Sequence, residues 1–484
     1  MMITTRNLMI PQLATFAASL VLAGCSLSPT YERPNPPIPR EWANSNSGVA
    51  SDSQAEPAKS LAWDSFVIDD ELRQLVAISL ENNRDLRQAV LNVEAARSAY
   101  RIQRADRLPG VDALGSVTRQ RVPGDMNEIG EATVQESYQV GLGITAFELD
   151  LFGRVRNLSQ AALMEYLATE EAARSVQVSL IGELINAYVA RNSAGQRREL
   201  TRRTLVARET SLDLIDRRRQ SGASSALDLE DARGLTEQAR ADLERADREY
   251  RQAGNAIGLL AGVSDVSPYL SDSFVTGPFV IQELAPGAPS ELIASRPDIS
   301  AAELRLRARN ADIGAARAAF FPRISLTGTF GSSSAEFSNL FESGQRAWSF
   351  MPQITVPIFS GGRNRANLEL ANVRRDIAVA AYEQNIQVAF REVSDALAAT
   401  DTLRREERAR RELAESSARA LKLAEARYRA GVDGHLRYLD AQRTDFANQV
   451  ALIEIVAQRQ IAVTTLFRTL GGGWSATSEQ ATSR

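Results

Sequence analysis

The chain has 484 residues, 44% of them hydrophobic, and a formal net charge of −4. This length suits two or three ordinary domains, and the nearly balanced charge gives no indication of a nucleic-acid partner. One cysteine and one histidine exclude a disulfide framework and argue against a zinc site.

The first 24 residues have the pattern of a bacterial export signal. Arg6 precedes an apolar stretch from Leu8 to Ala23, and Gly24 lies directly before Cys25. Small residues before a cysteine predict a lipoprotein signal that is removed, leaving an acylated Cys25 as the mature N-terminus. The alternative is a free core cysteine after a signal anchor. Ser26 rather than an aspartate follows, which indicates transport to the outer membrane. We expect N-acyl and S-diacylglycerol groups on Cys25, which anchor the chain to membrane lipid without spanning it.

The mature chain contains two copies of one pattern, about 209 residues apart. Each copy has a short helix (85–104 or 298–317), a proline (Pro109 or Pro322), an alternating stretch, and a long helix ending at Gly222 or Gly431. Such repetition predicts one body built twice rather than separate domains. We therefore divide the chain into a signal peptide (1–24), a lipidated extended tether (25–60), a first repeat (61–265), a linker (266–293), a second repeat (294–473) and a flexible tail (474–484).

Two very long helices are predicted, one in each repeat. Residues 154–221 and 363–430 contain no proline, few glycines, and many Ala, Leu, Glu and Arg residues. In the second, Ile386, Phe390, Val393 and Leu397 have the spacing of a coiled-coil seam. A helix of some 65 residues is about 100 Å long, which exceeds the core of a globular domain.

Four stretches are predicted as strands: 111–122, 137–149, 324–330 and 349–359. In the second, Tyr138, Val140, Leu142 and Ile144 alternate with polar residues and glycines. This alternation is typical of a transmembrane β-barrel, and the alternative is a soluble sheet with one buried face. After the signal no stretch of 18 apolar residues is found, so we expect no transmembrane helix. Four strands cannot enclose a lumen, so several chains must close the barrel together.

Six segments carry a family resemblance: ENNRDLR at 81–87, YRIQRAD at 100–106, FELDLFGR at 147–154, RPDI at 296–299, GAARAAFFP at 314–322 and LDAQR at 439–443. Together they resemble the TolC superfamily of outer membrane factors, specifically its lipidated, OprM-like multidrug-efflux branch. The fold class is therefore mainly α with a β-barrel part. A long α-helical barrel of coiled-coil pairs continues a transmembrane β-barrel shared between chains and built from two repeats. The resemblance also implies a homotrimer that docks onto a periplasmic adaptor and an inner-membrane pump of the RND type.

The resemblance also implies a periplasmic gate at the tip of the second helical hairpin. Leu436 and Asp440 match an apolar ring beside an acidic ring, and their spacing of four puts them on one helix face. Tyr428 and Arg429 match positions that latch neighbouring helices closed. The alternative is that Asp440 only helps to start a helix. Where family members have an acidic latch partner on the first long helix, we expect Gly195 in this chain. We therefore expect packing of Leu436 to hold the closed state more than ion pairs do.

No catalytic constellation is found in the sequence. His435 lies in a glycine-rich turn (Gly431, Gly434) and is expected in a solvated loop, and no second histidine is present for a catalytic triad. We therefore expect no enzyme activity, cofactor or metal. The predicted function is a passive, gated exit duct of a multidrug efflux system. The alternatives are a similar channel for type I protein secretion and a structural envelope lipoprotein without a pore, which would not need the strand pairs.

Overall fold

A computed structural model describes residues 27–35, 56–57, 61–126, 130–274, 277–285, 287 and 289–472. Cys25, the predicted signal peptide and the predicted tail lie outside the described residues. The chain forms two compact units; the first comprises the described parts of Met1–Asn35, Val93–Thr169 and Ala302–Tyr382, and the second those of Pro36–Asn92, Glu170–Ala301 and Glu383–Arg484.

The helices in the described ranges, in chain order, are α1 (Trp63–Phe66), α2 (Asp70–Asn82), α3 (Arg84–Ala105), α4 (Arg154–Gln220), α5 (Ala226–Ala261), α6 (Pro289–Ser295), α7 (Pro297–Ala318), α8 (Arg363–Arg429) and α9 (His435–Thr469). The strands are β1 (Glu56–Pro57), β2 (Asp112–Val122), β3 (Thr133–Leu149), β4 (Leu284–Ala285), β5 (Arg323–Ser334) and β6 (Arg346–Thr355).

Both predicted long helices are present. α4 and α8 each contain 67 residues and end one residue before the predicted position. Ile386, Phe390 and Val393 are buried on α8, as a coiled-coil seam requires, while Leu397 is half-buried.

The four predicted strands form one antiparallel sheet in the first unit, in the order β2-β3-β5-β6. The second strand of the first repeat thus pairs with the first strand of the second. Four predicted boundaries were wrong by three or four residues: β3 begins at Thr133, β5 continues to Ser334, and β6 begins at Arg346 and ends at Thr355. β6 stops two residues before Pro357, which has no amide to donate to a neighbouring strand.

The two faces of this sheet differ in chemistry. Phe330, Trp348 and Phe350 share one face and are 59%, 74% and 60% exposed. On the other face the hydroxyls of Thr329 and Ser349 lie 2.7 Å apart. A soluble sheet would bury its apolar face in the chain's own core, and the described residues do not bury this one. This apolar face must therefore be covered by lipid or by another molecule that does not belong to the chain.

The core of the second unit joins α1 and α2 to the end of α9. Phe66 stacks on Phe467 with ring centroids 3.9 Å apart, and Leu72 and Leu75 are fully buried. The predicted linker also contributes to this core, because Phe279 is buried and donates its amide to Gln460 Oε1 at 2.8 Å.

Helix α9 bears on the expectation that no helix of this chain crosses a membrane. By length and composition alone it could cross a membrane, although the sequence analysis expected no such helix. However, Ile455, Val463, Leu466 and Phe467 on α9 are buried within the unit. The apolar composition of α9 therefore reflects packing in a helical core.

Residues 27–35, predicted as part of a free tether, are held along α7 in the first unit. Arg33 forms an ion pair with Glu303, and the guanidinium of Arg307 lies 4.9 Å from the centroid of the Tyr31 ring. Asn310 Nδ2 donates to the carbonyl of Pro29 at 2.8 Å. Side-chain contacts therefore fix the course of this part of the predicted tether.

Candidate functional site

Each pair of long helices in the second unit is joined by a tight turn with a glycine. After α4, Gly222 has a φ of 77°, and after α8, Gly431 has a φ of 73°. Glycine adopts this left-handed conformation without steric cost and ends a helix abruptly. In both turns the next amide donates to a carbonyl five residues earlier: Ala223 to Arg218 at 2.7 Å, and Val432 to Arg427 at 3.0 Å. We call residues 218–231 the first tip and residues 427–440 the second tip.

The first tip has a polar cap at the start of α5. Ser225 Oγ accepts a hydrogen bond from the Asp228 amide at 3.0 Å, and Asp228 Oδ2 accepts one from the Ser225 amide at 2.9 Å. This reciprocal arrangement is a capping box. The Ser225 amide, and then the Ser225 and Ser224 hydroxyls, lower the pKa of the Asp228 carboxyl.

The second tip has an aromatic cluster instead of a polar cap. Gly434 precedes α9 and provides no side-chain hydrogen bond. Tyr428 stacks on Tyr438 with ring centroids 5.4 Å apart, and the His435 ring lies 5.2 Å from Tyr428. The guanidinium of Arg218 lies 5.2 Å from the Tyr428 ring centroid, so the first tip contacts the second at this tyrosine.

The predicted gate residues are on two different sides of the second tip. Leu436 is 62% exposed, and Asp440 is also exposed, with Oδ1 3.4 Å from Nη1 of Arg443. Both lie on the open face of α9, as their spacing predicted, whereas Tyr428 is buried among the helices. The open face thus offers an apolar side chain one turn from a carboxylate.

Arg429, the fourth predicted gate residue, forms an ion pair within its own helix. Its Nη2 lies 2.6 Å from Oε1 of Glu425, and the arginine is largely exposed. Arg429 therefore uses Glu425, a carboxylate of its own helix rather than of a neighbouring one.

The expectation that Gly195 occupies the latch position is wrong. A Cβ added to Gly195 would lie 2.1 Å from Cε1 of Phe274, so this glycine makes room for an aromatic ring. Arg218 is the α4 residue that contacts Tyr428, and the 23 residues between positions 195 and 218 span about 35 Å of helix. Gly195 is thus far from the second tip.

The expectation that His435 lies in a solvated loop is also wrong. His435 is the first residue of α9 and is only 7% exposed. Tyr428 from α8 and Tyr438 from the next turn of α9 cover it. The spacing of three between His435 and Tyr438 is the sequence signal for this contact, because such residues are neighbours on a helix.

The described residues contain no group of three or more His, Cys, Asp or Glu side chains that could hold a metal ion. Cys25, the predicted lipid attachment point, lies outside those residues.

A family model described as "Outer membrane efflux protein" matches residues 75–263 and 288–472. Among curated proteins, the chain is 58% identical over 456 residues to "Outer membrane protein OprJ" of Pseudomonas aeruginosa, covering 94% of each chain. It is 42% identical over 469 residues to "Toluene efflux pump outer membrane protein TtgC" of Pseudomonas putida, covering 97% of each.

Solved structures agree with these similarities. A membrane protein from Pseudomonas aeruginosa superimposes with a TM-score of 0.87 at 58% identity, covering 92% of this chain and 100% of the other. The open state of the MtrE outer membrane channel of Neisseria gonorrhoeae gives a TM-score of 0.82 at 36% identity, covering 93% and 99%.

Proposed function

This chain belongs to the outer membrane efflux protein family, and on that premise we propose that it is the passive exit duct of a tripartite multidrug efflux system. The family is one of outer membrane transport proteins, so the chain is an outer membrane efflux channel. In the proposed system an inner-membrane RND-type pump supplies the energy, and a periplasmic adaptor joins the pump to the duct. The duct itself catalyses no reaction and needs no cofactor.

The sheet supports assembly from several copies of the chain. β2 and β6 are its end strands, and no other strand of the described chain pairs with their outer edges. Open edges are not tolerated in hydrocarbon, so neighbouring copies must supply the missing partners. Three copies, the number implied by the family resemblance, would close a barrel whose apolar face meets lipid.

Acylation of Cys25 is supported by the course of residues 27–35. The carbonyl of Leu27 accepts a hydrogen bond from Nη1 of Arg317 at 3.2 Å, near the end of α7 and six residues before β5 begins. Cys25 precedes Leu27 by two residues in the sequence. A lipid attached there would therefore belong to the part of the chain that carries the sheet.

The mature protein should have the mass of a chain that begins at an acylated Cys25, and Cys25→Ala should lack the added lipid. A mature wild-type protein with an unmodified Cys25 would contradict the lipid proposal.

The gate is proposed at the second tip. The observation that carries this proposal is the exposed pair Leu436 and Asp440 on one open face of α9, beside the buried rings of Tyr428 and His435. Around a symmetry axis, the Leu436 side chains would form an apolar constriction and the Asp440 carboxylates a ring that favours cations. Tyr428 would hold the tip in position from inside, and Arg429 would contribute a weak, exposed ion pair.

Conductance of the purified protein in planar bilayers tests the gate. Leu436→Ala should raise the conductance several-fold, and Asp440→Asn should reduce the preference for cations. The matched controls are Leu227→Ala and Asp231→Asn, which lie at the equivalent positions of the first tip and should change little. If Arg429→Ala opened the pore and Leu436→Ala did not, the proposed closure by leucine packing would be wrong. A protein with no conductance at all would instead favour a structural tether.

A further inference from the structure

His435 is the only histidine of the chain and is buried where the second tip meets the first. Its ring centroid lies 5.2 Å from that of Tyr428 and 6.3 Å from that of Tyr438. Among the described residues, neither Nδ1 nor Nε2 has a hydrogen-bond partner. Buried polar atoms nearly always have partners in native proteins, so this imidazole requires a physical explanation.

The charges around His435 come from two helices, α4 and α5, and oppose one another. Burial lowers the pKa of the imidazole from its ordinary value of 6.5, and Arg218 on α4 lowers it further. Asp228 and Asp231 on α5 act in the opposite direction, but the burial effect is larger. The carboxylate of Asp228 already accepts hydrogen bonds in the capping box, and within the described chain no hydrogen bond joins it to the imidazole.

The position of His435 on α9 makes its charge matter for the gate. It is the first residue of the helix, where the unpaired amides and the helix dipole disfavour a positive charge. Gly434 gives this end no side-chain cap, so contacts of His435 with Tyr428 and Tyr438 take its place. The next residue is Leu436, the proposed apolar constriction.

We propose that His435 is a positioning residue of the gate, neutral when the second tip is packed, whose protonation loosens the tip and opens the duct at acid pH. This inference rests on the gate proposed above. An imidazolium ion with both N–H groups unsatisfied is unstable in an aromatic enclosure, so protonation would drive the ring toward water or toward the aspartates of α5. Either movement would separate it from Tyr428 and shift the start of α9.

The direction of the pH effect follows from the lowered pKa. When His435 is exposed it binds a proton near its ordinary value of 6.5, and when packed it does so only at lower pH. The packed tip is therefore most stable above 6.5 and loses stability as the pH falls below that value.

The experiment measures conductance in planar bilayers from a pH of about 8 to a pH of about 5, the range in which histidine is the side chain that ordinarily titrates. Wild-type conductance should rise several-fold, mostly below 6.5. His435→Phe keeps an aromatic ring that cannot be protonated, and it should remain closed with a flat profile. His435→Gln, neutral and polar, serves as a second variant in case the phenylalanine disturbs folding, and it should also lose the acid response.

Asp440→Asn separates this switch from titration of the proposed carboxylate ring. If the acid response persisted in His435→Phe and His435→Gln but disappeared in Asp440→Asn, the switch would be wrong. Because the chain has one histidine, a sample with ¹³C-labelled histidine gives one imidazole signal. Its titration midpoint should lie below 6.5 and match the midpoint of the conductance change.

Failure of this inference can be told apart from failure of the gate. If Leu436→Ala opened the pore at neutral pH while wild-type conductance stayed constant in acid, the gate would stand without the switch. If Leu436→Ala had no effect at neutral pH, the gate itself would be wrong.

Discussion

The first and second tips share one backbone turn but are stabilised by different kinds of contact. In the first, two hydrogen bonds between Ser225 and Asp228 cap α5, and all their atoms lie within four consecutive residues. In the second, Gly434 occupies the position equivalent to Ser225, and an aromatic cluster joins α8 to α9.

This difference indicates which tip can move. A local capping box survives when neighbouring helices shift, because it needs no other helix. An aromatic cluster depends on helices staying packed, so a change in one side chain can loosen the junction of α8 with α9, although Arg427 and Asp433 still pair across the turn itself. The second tip is therefore suited to opening and closing, while the first is suited to support.

The largest expected difference between the tips concerns Tyr428. Tyr428→Ala removes a buried aromatic ring and should reduce the local stability of the second tip by about 3 kcal/mol. Hydrogen–deuterium exchange of peptides from residues 427–440 should speed up markedly, and exchange in residues 218–231 should change less.

The control is Arg219→Ala, at the position equivalent to Tyr428 in the first tip. Arg219 is exposed, and its partner among the described residues is Asp216 on the same helix, so its loss should cost less than about 0.5 kcal/mol. Equal effects of the two substitutions would contradict the distinction between an aromatic and a polar tip.

The elements of this fold could largely be predicted from the sequence because each has a strong local signal. The long helices end where Gly222 and Gly431 permit the left-handed turn, and Pro109 and Pro322 mark the approach to the strands. The start of β3 was missed because Gln135 and Glu136, near its first residue, interrupt the apolar alternation of the strand.

The site was harder to predict because the sequence does not show directly which side chains pack together. A histidine in a glycine-rich turn has the local signal of a loop, whereas contacts with Tyr428 and Tyr438 help to bury it. Gly195 was misplaced for the same reason, since its neighbour Phe274 is 79 residues away in sequence. The exposed pair Leu436 and Asp440 was predicted correctly as sharing a face because helical spacing alone determines it.

The next largest effect concerns the polar cap. Ser225→Ala removes one half of the capping box and should destabilise the first tip by about 1 kcal/mol, with faster exchange limited to the start of α5.

The pKa of Asp228 is lowered from 3.8, so the contribution of its carboxylate is fully present above that value and is lost only at lower pH. Exchange in the first tip should thus be insensitive to the mild acid that affects the second. If exchange in the first tip increased together with exchange in the second near neutral pH, the proposed independence of the capping box would be wrong.

A smaller effect is expected for the ion pair of Arg429 with Glu425. Exposed pairs four residues apart on a helix stabilise it by about 0.3 to 0.5 kcal/mol, and salt screens them. Arg429→Ala should therefore accelerate exchange at the end of α8 slightly, and high salt should remove the difference. A large effect that persists in high salt would show that Arg429 binds a second, less exposed carboxylate in the assembled channel.

The smallest effect tests whether a polar cap can be transferred from the first tip to the second. Gly434 has a φ of −73° and a ψ of 161°, which a serine adopts readily, and a Cβ there would meet no atom within 4 Å. Gly434→Ser should stabilise the start of α9 by only a few tenths of a kcal/mol, because glycine is itself a tolerable cap. The residue three positions on is Arg437, which cannot accept the reciprocal bond that Asp228 accepts in the first tip. Adding Arg437→Asp should complete the capping box but also removes the ion pair of Arg437 with Asp433, so the gain should stay below the 1 kcal/mol or so that Ser225→Ala removes, about 0.5 kcal/mol. If the double variant also reduced acid-induced conductance, capping of α9 and burial of His435 would be shown to stabilise the same closed tip.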